Sequence, residues 1–177
     1  NFSEVGAVID AKGFAPVSGA LLDLGLSSYQ LDKGTRGLSF STEAPLDMRL
    51  DPAQTLTAAD ILNEWPEADI ERMLEEAGER NAKRLARAIG TRRSQFPFKT
   101  TKALNDIAAR YAGRGRLNPA TILFMALRMA VNKDLENLGA ALAALKTRLS
   151  PGGRIGVISF QAMEDRVVKQ TFRAWNQ

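Results

Sequence analysis

The chain of 177 residues carries 45% hydrophobic and 25% charged residues, a globular balance that excludes wholesale disorder. One domain, or one domain with an insert, would bury about 70% of the surface the unfolded chain exposes. With no cysteine and no histidine, the chain can make no disulfide, thiolate nucleophile, Cys/His zinc site or Ser-His-Asp triad, and no metal site is expected.

The net charge is only +4, but residues 79–116 hold eleven Lys/Arg against two acids. A phosphate backbone needs such a concentration from a partner, and a merely solvated helix face shows it too. The longest apolar runs fall far short of a membrane span and the N-terminus lacks a signal-peptide pattern, so a cytoplasmic location without membrane attachment is expected.

After Asn1-Phe2-Ser3, the positions Val5, Val8 and Ile9 predict a short helix, followed by a loop over 13–18. Residues 19–25 read as a buried strand whose continuous apolar run suits a sheet covered on both faces. The stretch Leu21 to Asp32 leaves that strand through Gly25, Ser27 and Ser28. Ligands of open α/β sheets bind beyond the carboxyl ends of strands, which makes Asp23 a candidate ligand-facing carboxylate; an ordinary turn fits the same residues. Residues 32–52 lack periodicity and predict a long ordered loop, a type that is often functional. Within it Leu46, Met48 and Leu50 alternate with Asp47, Arg49 and Asp51, so that one side packs and the other presents charge, whether as a site or as a plain surface cluster.

From Thr57 the period turns helical. Thr57 and Asp60 form a capping-box start for a helix over 58–64, Pro66 suits the first turn of the next, and Gly78 closes it. A third helix over 80–89 gathers Ala82, Leu85, Ala86 and Ile89 on one face and Arg80, Lys83, Arg84 and Arg87 on the other. Phe96-Pro97-Phe98 breaks the chain, Thr100 or Thr101 caps a fourth helix through Tyr111, and residues 113–116 form a basic joint. Asn118-Pro119 starts helical spacing that runs to Leu149, divided near Asn132 or Gly139. Ser150-Pro151-Gly152-Gly153 is read as the helix stop, residues 154–160 as a second buried strand, and 163–175 as a closing helix with Glu164 and Asp165 in its first turn.

The order of several motifs adds a more specific reading. Asp23-Leu24-Gly25-Leu26-Ser27-Ser28-Tyr29-Gln30-Leu31-Asp32, Arg36-Gly37-Leu38-Ser39-Phe40-Ser41 and Ala44-Pro45-Leu46-Asp47-Met48-Arg49-Leu50-Asp51 closely resemble the central signature of the RsmH/MraW family. The resemblance continues through residues 57–63, 119–135, 150–154 and 159–169. It implies a methyltransferase that uses S-adenosyl-L-methionine and modifies a cytidine of small-subunit ribosomal RNA at its exocyclic N4 amine.

The fold implied is α/β, a Rossmann-like class I methyltransferase domain with a partial sheet and an all-helical insert. Residues 1–52 and 118–177 would be its two parts, and 53–117 an RNA-recognition insert. The family's glycine-rich motif would lie upstream and its last strands downstream, so a fragment is expected. A homodimer is left open.

By the same resemblance Phe2, Asp23 and Gln30 are cofactor contacts. Asp23, Asp47 and Asn132 are the candidate catalytic residues, and Arg49, Arg84, Arg87, Arg128, Gln161 and Arg166 the candidate RNA contacts, with Glu164 and Asp165 near the cytidine pocket. Arg128 and Arg166 fit a structural ion-pair role equally well. The chain departs from the family pattern at Asn118 (usually His), Ile122 (Arg), Met125 (Gln) and Gln161-Ala162 (His-Ser). Two other readings therefore stay open: a catalytically impaired RNA-binding paralogue, and a methyltransferase for another nucleic-acid amine.

Overall fold

The computed structural model describes residues 1–25, 35–113 and 118–176, so Gln30, Ser27, Ser28 and most of the basic joint at 113–116 lie outside the described residues. The elements in chain order are α1 (Val5–Lys12), β1 (Val17–Asp23), α2 (Ala58–Glu64), α3 (Glu67–Glu76), α4 (Ala82–Arg93), α5 (Thr101–Tyr111), α6 (Ala120–Asn132), α7 (Asp134–Lys146), β2 (Leu149–Ile158) and α8 (Ala162–Trp175). A 3-10 turn, Phe2–Glu4, precedes α1. They form two compact units, one of residues 1–25 and 133–177, the other of residues 26–132.

In the first unit β1 and β2 pair in parallel, with Ala20 opposite Ile155 and Asp23 opposite Ile158. Side chains alternate across a strand, so Leu22, Leu24, Ile155 and Val157 turn one way, onto Leu138 and Leu142 of α7 and Val168, Phe172 and Trp175 of α8. The buried Leu24, Leu138 and Leu142 each contribute about 1.5–3 kcal/mol on leaving water. Leu21, 72% exposed, and Ile158, 45% exposed, point the other way together with Asp23. Among the described residues, helices pack on one face of this strand pair. Gly6 brings α1 close to α7, since a Cβ there would meet Ala144 Cβ at 3.0 Å.

The expected helix stop at 150–153 lies inside β2. Helix α7 ends at Lys146, and the strand begins at Leu149. Val17 pairs with Leu149 and Gly19 with Arg154, so the Ser-Pro-Gly-Gly segment is accommodated as a bulge, with Gly152 at φ +79°. Tight turn chemistry and a bulge draw on the same residues, which is why the two look alike in sequence.

The second unit is built on α2 to α6. Ile61, Leu62, Ile70, Leu74, Leu85, Ile89, Leu104, Leu123 and Leu127 share one core, and the loop before α2 adds Leu46 and Met48 to it. The capping box forms as read, with the Thr57 hydroxyl accepting from Asp60 N–H and the Asp60 carboxylate accepting from Thr57 N–H at 2.8 Å. Helix α4 runs four residues beyond the expected Ile89, to Arg93. Arginines in a last turn favour the helix dipole, and Arg93 Nη1 also donates to Leu62 O and Trp65 O. Thr100 occupies the cap position of α5 without a side-chain cap bond, while the buried Thr101 hydroxyl donates to Thr42 O and accepts from Ala44 N–H. Among the described residues no helix is long and apolar enough to cross a membrane.

The long helical run divides at Lys133, one residue past Asn132, and Gly139 stays within α7. Lys133 has φ +53°, a left-handed conformation that costs an L-residue about 1–2 kcal/mol. Glycine avoids that cost and adds chain entropy to the unfolded state, so Lys133→Gly is expected to leave stability within about 0.5 kcal/mol of wild type. A β-branched residue fits this region worst, and Lys133→Ile is expected to lose about 1–2 kcal/mol, read from denaturant midpoints of the full-length protein.

Candidate functional site

The loop that precedes α2 is held by its backbone as much as by its side chains. Met48 is fully buried at φ +60°, its N–H donating to Arg36 O at 2.7 Å. Gly37 permits the chain to pass Pro45, because a Cβ there would lie 2.3 Å from Pro45 O. Asn132, 3% exposed at the end of α6, closes the arrangement. Its Oδ1 accepts from Leu50 N–H at 2.7 Å, and its Nδ2 donates to Met48 O and Arg128 O at 2.8 Å. These bonds occupy the amide's two donors and engage its acceptor. Arg36 Nη1 adds a bond to Leu50 O.

Asp47 and Arg49, on either side of Met48, face each other. Asp47 Oδ1 accepts from Arg49 Nε at 2.7 Å and from Arg49 N–H at 3.0 Å, and Oδ2 accepts from Nη2 at 2.8 Å. Arg49 Nη1 continues to Gln54 O at 2.6 Å. The Arg49 hydrogen bonds hold the Asp47 carboxyl below its ordinary range against an opposing effect of partial burial, and Asp47 raises the guanidinium in turn. Asp47 is therefore an anion at neutral pH, suited to accept a hydrogen bond and too weak a base to take a proton. A carboxylate offers about four lone-pair directions; three are engaged among the described residues, and the one left is on Oδ2.

In the first unit, both strands of the parallel pair finish on one edge. There Asp23 stands exposed at the end of β1, and Leu24 N–H donates to Ile158 O at 3.0 Å. Gly25 follows at φ +105°, and Phe160, 68% exposed, follows β2. The buried Glu164 of α8 accepts from Phe160 N–H and Gln161 N–H, both at 3.2 Å, which fixes the turn that carries Gln161. Arg166 is exposed on α8, Asp165 pairs with Lys169 at 2.7 Å, and Phe2 is 40% exposed in the turn before α1.

The structure thus joins Asp47, Arg49 and Asn132 through one loop, with Arg128 a turn before Asn132 on α6. Arg84 and Arg87 lie elsewhere in the same unit, in a groove of about 1100 Å³ between α4 and α5. Lys83, on the same basic helix face, belongs to that groove too, whereas Arg110 and Tyr111 escape a reading by sequence because they reach it from another helix. The one local signal for them is the basic density of 79–116. Asn132 is a candidate by the family resemblance, and its engagement with Leu50 and Met48, more than eighty residues earlier in the chain, carries no local signal.

The pattern of the MraW methylase family matches residues 1–177. Among curated relatives, the chain is similar to ribosomal RNA small subunit methyltransferase H of Desulfosudis oleivorans, 45% identical over 100% of this chain and 59% of that protein. The same-named proteins of Syntrophobacter fumaroxidans and Dehalococcoides mccartyi are 44% and 46% identical over 98% of this chain, and over 56% and 50% of their own lengths. The chain therefore spans between half and three-fifths of the length of these relatives.

Replacing Asn132 by alanine strips a partner from the buried Met48 carbonyl, at about 1–3 kcal/mol, and from the half-buried Leu50 N–H, so Asn132→Ala is expected to lose about 2–4 kcal/mol in denaturant unfolding of the full-length protein. Asp47 has a lowered folded pKa, so the stability it contributes is complete above the unfolded carboxyl value of about 3.9 and is lost as pH falls through the folded value. Titrating the unfolding midpoint from pH 6 to pH 3 should therefore give a shallower fall for Asp47→Asn than for wild type.

Proposed function

The chain belongs to the MraW methylase family, and from that membership we propose that the full-length protein transfers a methyl group from S-adenosyl-L-methionine to the N4 amine of a cytidine in small-subunit ribosomal RNA. The observation that carries this reading is the match of the whole chain, at 44–46% identity, to relatives named as ribosomal RNA small subunit methyltransferases. In this reading residues 1–52 and 118–177 are parts of a Rossmann-like domain, and 53–117 is its helical RNA-recognition insert. Ribosomal RNA as substrate goes with a cytoplasmic location.

The residues at the strand ends suit the cofactor chemically. Asp23 is an exposed carboxylate able to accept hydroxyl or ammonium donors, and Leu21, Ile158 and Phe160 nearby offer exposed apolar surface for a purine. Phe2 and Gln30 join Asp23 as cofactor contacts by the family resemblance. When bound, the cofactor supplies a methyl group already activated on a sulfonium.

What the chain must add is position, because the lone pair of an exocyclic amine is delocalised into the ring and holding it in line supplies most of the available gain. Asp47 accepts an amine N–H through the open direction of Oδ2 and favours the rehybridised nitrogen. Asn132 acts as a positioning residue, holding the loop that carries Asp47 and Arg49. By the family resemblance Arg49 and Arg128 of the second unit and Gln161 and Arg166 of the first are each assigned to RNA, whose target base must be unpaired or flipped to expose its amine.

The test is transfer of isotope-labelled methyl from S-adenosyl-L-methionine by full-length protein to small-subunit RNA or subunits, followed by nucleoside mass analysis. Label in N4-methylcytidine is expected. Label in another nucleoside amine would replace the substrate, and cofactor-independent RNA binding without transfer would favour the impaired paralogue that the residues at 118, 122, 125, 161 and 162 suggest.

A further inference from the structure

We propose that the groove between α4 and α5 is the track for a single-stranded RNA segment, with phosphates on Lys83, Arg84, Arg87 and Arg110 and an unpaired base stacked on Phe96. The proposal deepens the reading of the protein as an RNA methyltransferase and rests on it for the identity of the polyanion. Five basic side chains and one acid, Asp106, line the groove. Among the described residues none of Lys83, Arg84, Arg87 and Arg110 stands in a salt bridge. Like charges four apart on a helix, as Lys83 and Arg87 are, destabilise it slightly. Cations that converge across a concave surface with so little compensation suit an extended anion better than bulk water.

The arginines of this region have separate tasks. Arg84 lies over the Tyr111 ring, 5.5 Å from its centroid, a cation–π contact that restrains the side chain and spares part of the ordering cost of binding phosphate. Arg92 is engaged in structure: it lies 4.6 Å from the centroid of the buried Phe98 ring, and its Nη1 donates to Phe96 O at 2.7 Å. That bond ties down the backbone of Phe96, which is 68% exposed and follows Gln95, a residue of the groove, in the chain.

An exposed aromatic ring beside a line of cations is what single-stranded nucleic acid uses, since every unpaired base has a face to stack. From Arg84 to Arg92, both within α4, the helix rises about 12 Å, room for more than one nucleotide along the groove.

The experiment is fluorescence anisotropy of full-length protein with a labelled single-stranded oligoribonucleotide across a salt series, with the matching duplex as competitor. Lys83→Ala, Arg87→Ala and Arg110→Ala are each expected to weaken binding and to flatten the salt dependence by about 0.7 in log–log slope. Phe96→Leu should weaken binding by about fivefold or more with the slope unchanged. Arg72→Ala, away from the groove on α3, should leave both as they are, and cofactor affinity should be the same in all variants.

Wild-type affinity and slope in the groove variants would overturn the proposal and leave the methyltransferase reading intact. A duplex that competes as well as the single strand would overturn the single-strand assignment. Groove-dependent binding by a protein that transfers no methyl would uphold the groove and remove the enzymatic reading, and absence of any RNA binding by wild type would overturn both.

Discussion

A buried amide at the end of α6 governs the shape of the polar loop. Met48 adopts a left-handed conformation that costs about 1–2 kcal/mol, and the hydrogen bonds that Asn132 donates to Met48 O and accepts from Leu50 N–H, worth about 1 kcal/mol each, offset it. Because Met48 and Leu46 sit in the hydrophobic core of the second unit, the loop is anchored from below as well. Asp47 and Arg49 flank the constrained residue, so their mutual orientation, and with it the Arg49 hydrogen bonds that lower the Asp47 pKa, follows from a constraint that neither makes itself. The direction left on Asp47 Oδ2 is a consequence of that packing.

The second recurrent theme is the division of labour among arginines. Arg36, Arg49, Arg92 and Arg93 are turned back onto backbone carbonyls and stabilise loops and helix ends. Lys83, Arg84, Arg87 and Arg110 line the groove instead. A guanidinium has five donors in a fixed fork, so the same side chain can serve either as an internal brace or as an external anion contact. Which one it becomes depends on what the fold brings within reach. The unevenness of charge along the chain thus acquires a spatial form only after α4 and α5 pack.

The helices and the capping box at Thr57 were legible because they are written locally, in spacing and in side chain to backbone bonds three residues apart. Ala82, Leu85, Ala86 and Ile89 pack as their period requires. What sequence spacing did not convey is long-range or shape-dependent. A Ser-Pro-Gly-Gly segment looks like a helix stop until its pairing with β1 shows a bulge, and an apolar run says a strand is buried without saying on how many faces. The candidate site divides similarly. Asp23 was readable from strand and turn chemistry and Asp47 from alternation, whereas the Asp47–Arg49 fork, the reach of Asn132 to the loop and the Arg84–Tyr111 stacking depend on contacts that the local pattern does not encode. The match to the MraW family supplied the chemical meaning that composition alone left open.

The most direct test of this account is calorimetric titration of the full-length protein with S-adenosyl-L-methionine, comparing wild type with Asp23→Ala. The proposed contact predicts that Asp23→Ala weakens binding by about tenfold or more, corresponding to about 1.4 kcal/mol, without a change in unfolding midpoint, as befits an exposed side chain. Equal affinity in the two proteins, or no binding by wild type, would contradict the assignment of the strand ends as the cofactor site.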